Sequence, residues 1–178
     1  VNNEVTAGSA EAESRERDEV DAIVAAWQRE RGDLDPSPLY IFSRLLRLGR
    51  HLDRFRRQAF AAHGLEPWEF EMLSLLRRQG EPWELAPSYF MNDLMVPSGT
   101  LTHRISVMVD HGFVVRHQSD EDKRVKYVRA TPLGIKRVDA AMIDLLQSEA
   151  AMVEHLSDSD QAELARILRE LLLPFEAS

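Results

Sequence analysis

The residues best suited to meeting a polyanion lie between positions 98 and 124. At about 100° per residue, Leu101, Ile105, Met108 and Val109 fall on one side of a helix and Gly99, Thr102, His103 and Ser106 on the other. Small hydroxyl side chains and an imidazole can approach base edges and phosphates closely; the plainer reading is a solvated helix face. Downstream, Phe113-Val114-Val115 and Val125-Lys126-Tyr127-Val128 are β-branched or aromatic runs flanking a polar segment, the pattern of a hairpin. Lys123 and Arg124 stand at its turn, with Asp120 and Asp122 placed to orient them. Such a tip could enter a groove of negative potential, or it could be a surface salt-bridge cluster. Helix, hairpin and charge distribution together favour DNA. Ser98, Gly99, Thr100, Thr102 and His103 are therefore the candidates for the groove, and Lys123 and Arg124 for the hairpin contact.

Other chemistries find less support. The chain has no cysteine, which excludes a disulfide scaffold, a zinc ribbon, an iron–sulfur site and thiol catalysis. Its six histidines form no HxxxH or HxH pair, so neither a metal nor a cofactor is expected. No GxSxG, Walker, GxGxxG or HExxH motif occurs, and no enzyme is expected. Two positions carry further possibilities. Arg104 lies three residues after Leu101 and four before Met108, at the border of the apolar face, where a guanidinium needs an anion or a carboxylate. Glu71 is a candidate partner. His51 borders a hydrophobic seam among Arg47, Arg50 and Arg54, and is a candidate pH sensor if that seam meets a second copy; otherwise it simply faces solvent.

The elements that must hold these residues can be read from periodicity. Residues 1–16 are small, polar and acidic, and are expected to be disordered. The first twenty residues carry six acids and no apolar run, so no signal peptide is expected there. Val20, Ile23, Val24 and Trp27 mark a first helix. Ile41, Leu45, Leu48, Leu52 and Phe55 mark a long second one with a heptad-like seam, stopped by His63-Gly64. A third helix starts at Pro67 and closes at Gly80, with Trp68, Met72, Leu75 and Leu76 as its stripe. Residues 80–87 are expected to be a loop, 88–94 a short helix, and 97–112 the fifth helix with its polar face. After the hairpin, Thr131-Pro132 opens a long helix, and Ser157-Asp158 caps a last one carrying Leu164, Ile167, Leu168, Leu171 and Leu172. The expected divisions are the acidic tail 1–16, helices 17–63 for dimerisation and a pocket, a DNA-binding module 64–131, and dimerisation helices 132–178. The fold class is mostly α with a small β-hairpin wing.

The 178 residues carry 22 Lys plus Arg against 30 Asp plus Glu, a net charge of −8, which looks wrong for a nucleic-acid binder. The charge is segregated, however. Residues 139–165 hold seven acids and no Lys or Arg, residues 44–57 hold six arginines and one acid, and residues 114–130 hold five cations against three acids. An acidic end would face away from DNA and a basic end toward it. No stretch approaches the ~18 apolar residues of a membrane span, and a cytoplasmic protein is expected.

The segments Ser98-Gly99-Thr100-Leu101-Thr102-His103-Arg104-Ile105, Asp110-His111-Gly112-Phe113-Val114-Val115-Arg116, Asp120-Glu121-Asp122-Lys123-Arg124 and Ala130-Thr131-Pro132-Leu133-Gly134 resemble, in order and spacing, the MarR family of bacterial transcription regulators. The resemblance runs from about residue 39 to the C-terminus. It implies a winged helix-turn-helix, a homodimer made by the N- and C-terminal helices, a pseudo-palindromic duplex operator, and release or retuning by a small anionic, often aromatic, effector. The extra first helix with Trp27 and the run Gly64-Leu65-Glu66-Pro67-Trp68-Glu69-Phe70-Glu71 are similar to the urate-responsive, PecS-like branch. There a tryptophan, an aspartate and an arginine surround the ligand. Trp27 and Arg104 match, Glu71 stands where the branch has aspartate, and His103 stands where it has asparagine. The resemblance thus implies Trp27, Glu71 and Arg104 as ligand-binding residues; the alternative is a structural Arg104–Glu71 ion pair with Trp27 packing. The expected function is a sequence-specific DNA-binding regulator, a repressor released by its effector. The alternatives are a DNA-binding architectural protein or regulator without a ligand, and a helical protein–protein adaptor.

Overall fold

A computed structural model describes residues 17–118 and 126–176. Contacts divide the chain into two units, residues 1–53 and 54–178, with the boundary inside the second helix.

In the first unit, helix α1 spans Glu19–Glu30. Its start is fixed by a reciprocal cap: the Asp18 carboxylate accepts the N–H of Val20 at 2.8 Å, and the Asp21 carboxylate accepts the N–H of Asp18 at 2.8 Å. Val20 and Val24 are buried, while Trp27 is 48% exposed. Helix α2, Leu39–Ala62, follows the Pro36 and Pro38 segment. The arginine run at 44–57 proves partly committed within the protein. Arg44 donates to Asp18 at 2.8 Å and to Asp21 at 3.0 Å, and Arg47 donates to Glu19 at 2.6 Å. These two cations strap α2 to the start of α1 and are neutralised there.

In the second unit the elements after α2 are α3 (Pro67–Arg78), β1 (Glu84–Leu85), α4 (Pro87–Asp93), α5 (Ser98–Asp110), β2 (Val114–Gln118), β3 (Lys126–Ala130), α6 (Pro132–Val153) and α7 (Asp158–Glu176). The hairpin is part of a three-stranded antiparallel sheet in the order β1-β3-β2. Arg116 pairs with Val128, and Glu84 with Arg129. The expected loop at 80–87 therefore contains a strand. Its two residues are too few to show a period, and its partner lies some forty-five positions away.

The core of this unit gathers Phe60, Phe70, Met72, Leu76, Phe90, Leu101, Ile105, Met108, Val114, Val128 and Leu145. Phe60 and Phe70 stack with centroids 4.0 Å apart. The α5 stripe is as read from sequence except at Val109, which is 38% exposed. It sits at the edge of a stripe that Leu101, Ile105 and Met108 already fill.

The sheet is locked to α6 by a small knot. Gly112, at φ +72°, closes α5, with Phe113 N–H bonding back to Met108 O at 2.9 Å. Thr131 caps α6 by accepting the N–H of Gly134 at 3.1 Å, and its hydroxyl donates to Gly112 O at 2.7 Å. Gly134 is glycine because a Cβ there would lie 2.3 Å from Phe113 O. Among the described residues, no helix is long and apolar enough to cross a membrane.

Candidate nucleic-acid interface

The N-terminal turns of α5 present Ser98, Gly99, Thr100, Thr102 and His103 to solvent, as the helical spacing predicts. Burial of Leu101, Ile105 and Met108 fixes that orientation. Two hydroxyls on this helix are held by their own backbone: Thr102 Oγ1 donates to Ser98 O at 2.9 Å, and Ser106 Oγ donates to Thr102 O at 3.0 Å. Ser106 also accepts Nη2 of Arg116 at 2.7 Å. A cation of β2 is thereby held on the middle of α5.

In the sequence Arg116 is one of five cations around the hairpin, with nothing in composition to set it apart. The strand period could have singled it out. Val114 is buried, so the residue two places on, on the same face of the strand, continues toward α5. Lys126 is exposed on β3, opposite Gln118. Among the described residues no acid pairs with Arg116 or Lys126, whereas Arg129 is neutralised by Glu84 at 2.7 Å. Lys123 and Arg124, the residues picked for the hairpin tip, lie outside the described residues.

Between α4, α5 and the two long strands runs a cleft of ≈ 370 Å³. Pro87, Met91, Ser98, Thr102, Arg116 and Lys126 are among its walls. It couples apolar surface to two cations, a combination suited to a small anion with a hydrophobic body.

Arg104 does not pair with Glu71. Its guanidinium lies over the Trp68 ring, 5.4 Å from the centroid. Glu71 is exposed, and among the described residues it has no ion-pair partner. The half-buried Arg104 is thus accommodated by an aromatic face rather than a carboxylate, a solution hidden by reading Trp68 only as part of a core stripe. In the first unit, Trp27 lines an apolar hollow with Ile23, Ala26 and Glu30, and His51 is on an exposed stretch of α2. Among the described residues no cluster of His, Asp and Glu could hold a metal ion.

These features can be set beside known proteins. No family model matches the chain. It is 29% identical over 150 residues to the HTH-type transcriptional regulator PecS of Dickeya dadantii, covering 84% of this chain and 90% of that one. It is 32% identical over 108 residues to the uncharacterized HTH-type transcriptional regulator YkoM of Bacillus subtilis, covering 61% of this chain and 68% of that one. Among solved structures it is similar to AbsC, a MarR family transcriptional regulator from Streptomyces coelicolor, with TM-score 0.69 and 19% identity over 82% of this chain and 98% of that one. It is also similar to a mutant MarR from E. coli complexed with operator DNA, with TM-score 0.62 and 22% identity over 78% of this chain and 99% of that one. A polar helix on a buried stripe, a three-stranded wing beside it, HTH-type regulators as sequence relatives and MarR family proteins as structural neighbours lead to one assignment: the chain belongs to the MarR family of HTH-type transcriptional regulators and is not an enzyme.

Proposed function

We propose that this protein is a cytoplasmic, homodimeric repressor that binds a pseudo-palindromic operator through α5 and the wing and lets go when a small anionic aromatic or carboxylate effector binds. The observation that carries the DNA part is the exposed polar turn of α5 with Arg116 held against it at 2.7 Å. Ser98, Gly99, Thr100, Thr102 and His103 enter the major groove, and Lys123 and Arg124 reach the backbone or minor groove. Dimerisation is supported by α7, whose Leu164, Ile167, Leu168, Leu171 and Leu172 are all exposed in the single chain at helical spacing. The adaptor reading uses the same apolar surface, but gives no role to the polar face of α5.

The effector part is supported by the cleft, because it shares Ser98 and Thr102 with the groove face. An anion seated between Arg116 and Lys126 competes with phosphate for the same cations. Trp27, Glu71 and Arg104, which do not line this cleft, are proposed as effector-binding residues on the family resemblance alone.

A gel shift against duplexes selected from a random pool tests the function. Retention that falls steeply with salt supports it, and salt-independent retention sinks it. Titration with urate, salicylate, citrate and aconitate, following tryptophan emission with a Trp27→Phe control, tests the effector; an unchanged shift and unchanged emission with all four remove it. Operator affinity across roughly pH 5 to 8 in wild type and His51→Ala tests His51 as a pH sensor; identical curves end that idea.

A further inference from the structure

Glu69 is the buried charged residue of the described core, 1% exposed. It stands in the first turn of α3 with both oxygens in use. Oε2 accepts the backbone N–H of Glu66 at 2.9 Å, and Oε1 lies 2.8 Å from Nδ1 of His111. His111 is the residue on which α5 ends, its own N–H bonding back to Val107 O at 2.9 Å. Its ring stands edge-on to Phe113, with centroids 5.6 Å apart. The His111 side chain is half exposed, so the cost of leaving water falls on the carboxylate. A buried carboxylate is tolerated only where hydrogen bonds and opposite charge are supplied. Here the start of one helix carries the acid and the end of another carries the imidazole. The partial charges of the two helix ends suit a negative group at 69 and a positive group at 111.

We infer that Glu69 is a positioning residue for operator recognition. Through His111 it fixes the C-terminal end of α5, and with it the angle at which Ser98, Gly99 and Thr102 are offered at the other end. The 13 residues of α5 make a rod of about 20 Å, so a turn of about 10° at His111 carries the first turn through about 3 Å. That is more than a hydrogen bond to a base edge tolerates. The inference rests on the DNA-binding reading above.

The test uses the full chain and a duplex that the wild-type protein selects from a random pool, with a scrambled duplex as control. Wild type, Glu69→Gln, His111→Gln and His111→Lys are compared by fluorescence anisotropy, well below each variant's melting temperature. Glu69→Gln and His111→Gln lose about 10- to 100-fold on the selected duplex, the loss expected for a hydrogen bond to a charged group, while binding to the scrambled duplex stays nearly constant. His111→Lys, which offers Glu69 a hydrogen-bond donor from the same helix end, regains most of the loss. Should Glu69→Gln not fold, the two variants at the half-exposed His111 decide alone. Equal losses on both duplexes, a His111→Gln protein that binds as wild type, or a His111→Lys protein no better than His111→Gln each overturn the positioning role. A wild-type protein that selects no duplex overturns the DNA reading itself, and this inference with it.

Discussion

Nη2 of Arg116 donates to Oγ of Ser106 across 2.7 Å, tying the second strand of the wing to the middle of α5. Wing and helix are thus one surface. This bond brings no opposite charge to Arg116, since a hydroxyl and not an acid receives it. Arg116→Ala is expected to weaken binding to the selected duplex about tenfold and to reduce the slope of log affinity against log salt by about 1. An unchanged slope in an anisotropy titration would place Arg116 away from phosphate. Ser106→Ala, which frees the guanidinium without removing it, should leave the slope intact and lower affinity less.

Gly134 carries a second expectation. A methyl group there meets Phe113 O at 2.3 Å and Leu73 Cδ2 at 3.0 Å. The neighbour that blocks it is backbone, which yields poorly. Gly134→Ala should cost at least about 1–3 kcal/mol of stability; denaturant unfolding with a midpoint equal to wild type would refute the packing described.

The strap between α1 and α2 sets a pH dependence. Hydrogen bonds from Arg44 hold the Asp18 carboxyl below the usual carboxylate range against opposing desolvation. Arg47 does the same for Glu19, again chiefly through a hydrogen bond. Lowered folded values mean that folding favours the ionised acids. The contribution is therefore present above the ordinary carboxylate range, about pH 4, and is lost as pH falls through the lowered values. Both acids are exposed, so the effect is local. Protection factors of the α1 amides, corrected for the intrinsic pH dependence of exchange, should fall in acid before those of α3; simultaneous loss of protection in both helices would contradict it.

Leu168 on α7 is exposed at 38%. Leu168→Asp should leave the second unit's core intact and weaken self-association at least about tenfold, as removal of an interface anchor does. Sedimentation at several concentrations measures this, and an unchanged dimer would move the interface elsewhere.

Much of the molecule is legible from spacing alone. The α5 stripe, the Thr131 cap and the exposed polar turn of α5 follow from a 3.6-residue period and cap chemistry, both local properties. What escaped is non-local. Strand β1 exists only because β3 offers it a partner. Arg104 sits on Trp68, not beside Glu71, because the choice between an aromatic face and a carboxylate is made by packing. Glu69 reads as one more acid on a helix until the fold seals it and brings His111 within 2.8 Å. The arginines at 44 and 47 look like a basic patch until the Asp18 cap folds against them.

Thr102 spends its hydroxyl hydrogen on Ser98 O. What remains to face outward is a lone pair and a methyl group. A side chain in that state cannot give a proton to guanine O6 or N7, but it can take one from the exocyclic amine of adenine or cytosine, or rest its methyl on that of thymine. In the proposed operator complex, the helix's own carbonyl would thereby limit which bases this threonine reads.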